Sequence, residues 1–322
     1  MRISASGLML QVRKVARGRR CFSMYVPAHE APDDDAMSKL QEMLYHASKV
    51  VVLTGAGIST ESGIPDYRSK GVGLYARSNH KPIEHRDFMS HEAVRQRYWA
   101  RNYMARHQWQ GAQPNANHVV LAQWQHDSRG DVRIVTQNVD RLHQKAGARD
   151  VIELHGSMDE VRCMNPACDA PAMAREDFQV VLDALNPGFV EKVQADNETL
   201  ANAMQVRPDA DMYLSTEMER LFHVAHCPLC RIGFYKPNVV FFGDSVAPAT
   251  VQQIYHDVDT ADAMLVLGSS LHVFSGYRFL LRAKDAHVPI GIVNIGPTRG
   301  DGLATVKVNA KCSSVLSELH LV

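Results

Sequence analysis

The sequence has 322 residues, 45% of them hydrophobic and 22% charged, an ordinary globular composition with room for one large domain and a smaller one. Its 35 basic residues balance 35 acidic ones, so no overall field draws the chain to nucleic acid. No apolar run approaches the ~20 residues of a membrane span, so neither a membrane nor a nucleic acid is expected as a partner. The six cysteines are too few for a disulfide scaffold, and four of them fall in two close pairs, which favours metal binding in a reducing compartment.

The chain opens on a basic stretch. Between Met1 and His29 lie Arg2, Arg13, Lys14, Arg17, Arg19 and Arg20 with no acidic residue, and Ser4, Ser6 and Ser23 sit among apolar residues. This is the composition of an organelle transit peptide, with a disordered basic tail as the plainer alternative, and it leads to an expected mitochondrial matrix location. Pro32 and the run Asp33–Asp35 read as a linker, which sets residues 1–36 apart from the folded chain.

The elements follow in order. A helix is expected over Ser38–Ser48 and a strand over Val50–Leu53. Residues 71–110, with Trp99, Trp109, Tyr98 and Tyr103, form a helical excursion, and a helix over Ala116–Gln125 leads to a strand over Val132–Val135. Residues 156–233 hold both cysteine pairs and a long polar middle. A strand over Asn238–Phe242, a helix over Thr250–His256, and strands over Met264–Leu267 and Ile290–Val293 complete the pattern. Buried strands alternating with helices predict an α/β fold: a Rossmann-like parallel sheet with helices on both faces. Residues 37–155 and 234–322 would build that domain, and 156–233 a smaller zinc-binding module. Ligands of such sheets sit beyond the carboxyl ends of the strands.

The chemistry-bearing motifs lie at those ends. Strand Val50–Leu53 runs into Thr54-Gly55-Ala56-Gly57-Ile58-Ser59, a turn that lets backbone amides approach a pyrophosphate. Taken alone it could be a structural turn, because the next glycine, Gly63, comes too late. The run continues through Gly63, Pro65, Asp66, Tyr67, Arg68 and Ser69, placing two charges beside the loop. Thr54 to Ser69 resembles the signature of the sirtuin family over sixteen contiguous residues, with Tyr67 where many members carry phenylalanine. The second strand ends in Thr136-Gln137-Asn138-Val139-Asp140, which could be a capped helix start. It also resembles the second sirtuin motif, which implies that Gln137, Asn138, Val139 and Asp140 surround the nicotinamide ribose of NAD. Glu153-Leu154-His155-Gly156 resembles the family's His-Gly element, which implies that His155 is the catalytic base. An imidazole suits that task, since its unperturbed pKa is ~6.5.

Cys163-x4-Cys168 and Cys227-x2-Cys230 form two knuckle-like pairs with 58 residues between them. Four thiolates would close a tetrahedral zinc site, so the metal would be structural rather than catalytic. Unligated thiols are the alternative, and His223 and His226 are alternative ligands. Sirtuins carry such a site between these same motifs. The family resemblance further assigns Gly268, Ser269 and Ser270 to a second nucleotide loop, and Asn294, Ile295 and Gly296 to the adenosine ribose. Cys312 is placed at a late cofactor position, where it could equally be an incidental cysteine. Val240, Phe241 and Gly243, with Leu271 and Val273, would hold the peptide and the acylated lysine of a protein substrate by strand pairing. Tyr75, in Gly73–Arg77, and the run Arg95–Asn102 resemble the family's class II branch, which includes a mitochondrial lipoamidase and ADP-ribosyltransferase. The resemblance implies NAD-dependent deacylation of protein lysines. Mono-ADP-ribosyl transfer at the same site and non-catalytic NAD binding are the alternatives.

Overall fold

The computed structural model describes residues 22–77, 82–127, 130–202 and 211–321. The expected transit peptide lies, through residue 21, outside the described residues. The strands are β1 Lys49–Thr54, β2 Asp131–Thr136, β3 Ile152–Glu153, β4 Gly156–Cys163, β5 Met173–Ala174, β6 Tyr235–Val239, β7 Ala263–Leu267, β8 Ile290–Val293 and β9 Val306–Val308.

Six of them form one sheet in the order β3-β2-β1-β7-β8-β9, every neighbouring pair parallel. Successive side chains of a strand point to opposite faces, so an unbroken apolar run such as Val50–Leu53 feeds two cores. Val50 and Val52 pack with Leu40, Leu121, Trp124, Leu265 and Val315 on one face. Val51 and Leu53 pack with Ile254, Val258, Met264, Val266, Phe279 and Leu280 on the other. The expected helices cover both faces as Asp34–Tyr45, Ala116–Asp127 and Pro248–Asp259.

Two expectations need correction. The run Asp33–Asp35 is not a linker. Asp33 caps the first helix by accepting a hydrogen bond from the Ala36 amide at 2.9 Å, and Asp34 and Asp35 occupy its first turn. Carboxylates are favoured there because the first amides of a helix lack partners and carry partial positive charge. The strand placed at Asn238–Phe242 begins three residues earlier, ends at Val239, and belongs to the other sheet.

That second sheet has three strands in the order β5-β4-β6, and β4 pairs with both neighbours antiparallel. The small module therefore draws on residues beyond 233. Its core also takes in the helical excursion. Phe88, Tyr98, Trp99 and Tyr103 pack with Phe178, Leu182, Phe189 and Phe222 from the long polar middle. Part of that middle is amphipathic helix, since Arg175–Leu185 buries Phe178 and Leu182 one turn apart while Glu176, Asp177 and Asp183 are exposed. Trp99 is fully buried and its Nε1 donates to the Tyr235 carbonyl at 3.1 Å, tying the excursion to β6.

Candidate functional site

The order of the large sheet reverses direction at β1 and β7, and in open α/β sheets the crevice beyond such a switch point is the ligand site. Here two loops meet backbone to backbone. The Gly55 amide donates to Leu267 O at 3.0 Å and the Gly57 amide to Gly268 O at 2.8 Å. A Cβ at Gly57 would stand 2.8 Å from Gly268 O and 2.9 Å from Gly268 Cα, so a side chain would pry the loops apart. Residues Ala56–Ser62 then turn as a 3-10 helix that ends at Gly63, whose φ of 83° is left-handed. A cavity of about 1240 Å³ opens over these strand ends.

The turn after β2 supplies polar groups. Asn138 Nδ2 donates to Gly55 O and to Ser59 Oγ, each at 3.2 Å, which ties this turn to the glycine loop. Asp140 accepts from Ser59 Oγ at 2.6 Å through one oxygen and from the Leu142 amide at 3.0 Å through the other. Both residues are buried and both line the cavity. Gln137 is held by Ser269, whose Oγ donates to its Oε1 at 3.1 Å. The buried Gln137 Nε2 has no hydrogen-bond partner and packs against Gly276, where a Cβ would stand 2.1 Å from it.

His155 follows β3 and is partly buried at the cavity. Its Nδ1 lies 2.8 Å from the Gln137 carbonyl oxygen. A carbonyl only accepts, so Nδ1 carries the proton and Nε2 carries the lone pair. Nε2 accepts from Ser275 Oγ at 2.8 Å. The His155 carbonyl in turn accepts from the Val240 amide at 2.8 Å, anchoring the backbone to the chain leaving β6. Burial lowers the pKa of His155 from its ordinary value, and the hydrogen bond to Gln137 opposes this only in part. The lowered pKa favours the uncharged ring near neutral pH.

Asp66 is spent on the loop that carries it. Its carboxylate accepts from the Arg68 amide at 3.1 Å, from the Ser69 amide at 2.8 Å and from the Ser69 hydroxyl. The Tyr67 and Tyr75 rings meet at a tilt of 42° with centroids 5.8 Å apart, and the Arg68 guanidinium lies 5.3 Å over the Tyr75 ring.

The sequence-predicted residues converge on this one cavity. Ala56, Gly57, Ser59, Asp66, Tyr67, Arg68, Gln137, Asn138, Val139, Asp140 and His155 line it, with Gly268, Ser269, Ser270, Asn294, Ile295 and Gly296. Val240, Phe241, Gly243 and Val273 line it as well. Five others do not. Ile58 and Leu271 are buried beneath the loops, Gly55 packs against Ser269, and Tyr75 stands behind Tyr67. Cys312 is buried with its thiol against the Gly268 amide and the Val293 carbonyl, and burial pushes its pKa up to about 12. Sequence reasoning missed Ser275, which carries no motif of its own. It also missed Tyr98 and Met158, which line the cavity from the small module, and Pro27–Glu30, which line it from the leading segment.

At the far end of β4 the four cysteines come together. Their sulfurs all lie within 4.8 Å of one another, with Cys163–Cys230 at 3.7 Å and Cys168–Cys227 at 3.8 Å. Disulfides require about 2.05 Å. A tetrahedron of ~2.3 Å zinc–sulfur bonds has sulfur–sulfur edges of about 3.8 Å, which these distances match. Gly233 is required there, because a Cβ would stand 2.3 Å from Cys163 Sγ. Neither His223 nor His226 joins the group. The four thiolates fit one structural zinc, with no position left for a substrate.

Comparison with known proteins agrees with this geometry. The Sir2 family model matches residues 55–275. The chain is 47% identical over 314 residues to the NAD-dependent protein deacylase Sirt4 of Drosophila melanogaster, covering 97% of this chain and 96% of the relative. It is 44% identical over 315 residues to the NAD-dependent protein lipoamidase sirtuin-4, mitochondrial, of Homo sapiens, covering 97% and 95%. Among solved structures, Sir2Tm bound to a propionylated peptide superposes with a TM-score of 0.62 at 28% identity, over 87% of this chain and 95% of that one. A Sir2 complex with a p53 peptide and NAD+ gives a TM-score of 0.62 at 28% identity, over 87% and 95%. A reversed parallel sheet with paired glycine loops, a neutral histidine at the crevice and a four-thiolate knuckle thus coincide with these matches: the chain belongs to the Sir2 family, the sirtuins.

Proposed function

We propose that this chain is an NAD-dependent deacylase that removes acyl groups from protein lysines in the mitochondrion. The observation that carries the reading is His155, a neutral imidazole whose Nδ1–H is fixed on the Gln137 carbonyl and whose Nε2 is left basic in a cavity built over the paired glycine loops. NAD, when bound there, supplies a ribose carbon open to attack and nicotinamide as the leaving group.

The chain's own residues do the rest. Ala56, Gly57 and Ser59 line the cavity where the pyrophosphate would lie, while the Gly55, Gly57 and Ile58 amides bond within the protein and fix the loop against Gly268. Gly268, Ser269, Ser270, Asn294, Ile295 and Gly296 hold the adenosine half, and Cys312 supports Gly268 from beneath. Binding energy at that end positions the reacting ribose. Asn138 and Asp140, locked to Ser59, with Gln137 and Val139, surround the nicotinamide ribose. Asp66 shapes the loop that brings Tyr67 and Arg68 over the site, with the Tyr75 ring against both. His155 accepts a ribose hydroxyl proton at Nε2. Val240, Phe241, Gly243 and Val273 receive the acylated lysine and its peptide, with Leu271 buried beneath them. The zinc knuckle holds the module whose sheet supplies β6 and the Val240 anchor of His155. Human and bovine relatives described as mitochondrial, together with the basic, acid-free Met1–His29 stretch, support the matrix as the compartment.

The test is a panel of acyl-lysine peptides incubated with NAD. Release of nicotinamide together with an acylated ADP-ribose is the expected outcome. An ADP-ribose adduct on protein with no acyl loss would replace deacylation by transfer, and tight NAD binding without turnover on any peptide would overturn both.

A further inference from the structure

His155 is gripped at both ring nitrogens, and only one of the grips belongs to a recognised motif. Gln137 holds Nδ1 through its backbone carbonyl at 2.8 Å. Ser275, the second residue of the helix Phe274–Asp285, holds Nε2 through its hydroxyl at 2.8 Å. An imidazole ring turns about a broad, nearly two-fold torsion, so one hydrogen bond alone leaves its orientation loosely set. Two partners of opposite kind remove that freedom. The carbonyl must receive a proton and the hydroxyl can supply one, so the pair also selects the tautomer.

The same helical turn touches the other grip. A Cβ on Gly276 would stand 2.1 Å from Gln137 Nε2, so the helix accepts the Gln137 side chain into the space a larger residue would fill. The helix is itself immobilised, with Phe279, Leu280 and Ala283 buried in the core that holds Leu154, the residue before His155. Ser275 and Gly276 thus form a rigid seat for His155 and for the residue that orients it.

We propose that Ser275 is a positioning residue for His155, keeping the ring in the Nδ1–H tautomer with Nε2 as the acceptor before a ribose hydroxyl arrives. The inference rests on the deacylase reading for its kinetic consequence, but not for its geometry. Without the hydroxyl, the ring samples a flipped state in which the protonated nitrogen no longer meets Gln137. Some enzyme molecules then present no base. NAD binding depends on loops this change does not touch.

The experiment compares Ser275→Ala and Ser275→Thr with wild type. Ser275→Ala is expected to lower kcat for acyl-dependent nicotinamide release roughly tenfold, with KM for NAD changed less than about twofold, and Ser275→Thr to restore most of the loss. In nitrogen-15 histidine spectra of the free enzyme, wild-type His155 should show a protonated Nδ1 and an unprotonated, hydrogen-bonded Nε2. Ser275→Ala should mix the two tautomers. Unchanged His155 nitrogen shifts in Ser275→Ala would overturn the proposal, as would equal losses in kcat and thermal stability for both variants, which would mark a packing role. If wild type turned over no acyl peptide, the deacylase reading would fall while the spectra still decided the role of Ser275.

Discussion

Gly156 is the position where a single methyl group should do most damage, because strain and overlap coincide beside the base. Its φ is +78°, and a Cβ there would stand 2.0 Å from Asn238 O and 3.0 Å from the Asn238 carbonyl carbon. The left-handed conformation costs an alanine about 1–2 kcal/mol. The overlap is with backbone, so β4 and β6 must separate, an overpacking of about 1–3 kcal/mol. The sum, roughly 2–5 kcal/mol, corresponds to a fall in Tm of roughly 3–7 °C for a chain of this size. Gly188 is the matched control: its φ is +71° but nothing lies within 4 Å of a Cβ, so Gly188→Ala carries the strain alone. Activity should divide the two further. Parting β4 from β6 shifts the His155 carbonyl off the Val240 amide, now 2.8 Å away, and a displacement of about 1 Å at a catalytic group costs on the order of 100-fold in rate. Thermal melts and nicotinamide release on both variants form the assay. If Gly156→Ala melted within a degree of Gly188→Ala and turned over within about twofold of wild type, the reasoning would be refuted.

Three further outcomes are expected. Burial lowers the pKa of His155 below its ordinary 6.5, so the neutral, basic form persists as pH falls through that value. The acid limb of kcat/KM should therefore be centred below 6.5, and a limb at or above it would contradict the placement of the ring. Cys227→Ser removes one of four thiolates whose sulfurs lie within 4.8 Å of one another, so bound zinc, measured by elemental analysis, should fall from near one per chain to near zero, with a lower Tm. Zinc retained in full by the variant would point to a different ligand set. Trp99→Ala empties the centre of the small module and orphans the Tyr235 carbonyl, at a cost of about 3–5 kcal/mol in urea denaturation; a loss under about 1 kcal/mol would mean that the module does not depend on the excursion.

Much of the large sheet could be read from the chain because its strands are buried on both faces. Val50–Leu53, Met264–Leu267 and Ile290–Val293 are unbroken apolar runs, and each ends in the polar residues that line the cavity. The short strands Ile152–Glu153 and Val306–Val308 carry too few residues to show a pattern. Asn238–Phe242 reads as a parallel core strand because apolarity alone does not reveal the partner. The partner is β4, reached across the zinc module, and the pairing ends where Val240 turns to hold His155. Asp33–Asp35 misled for a related reason, since a helix cap and a polar linker share a composition. The site residues set in local motifs were legible as a group. Ser275 was not, for its meaning comes from a contact 120 positions away in sequence.

The account stands or falls with what the residue 155 imidazole does. His155→Ala should leave NAD affinity, measured by calorimetry, within a few-fold of wild type, since the paired glycine loops are untouched. Acyl-dependent nicotinamide release should fall by roughly 10²–10⁴-fold. Turnover by the variant within about tenfold of wild type would contradict the assignment of the base and, with it, the chemistry built on this cavity.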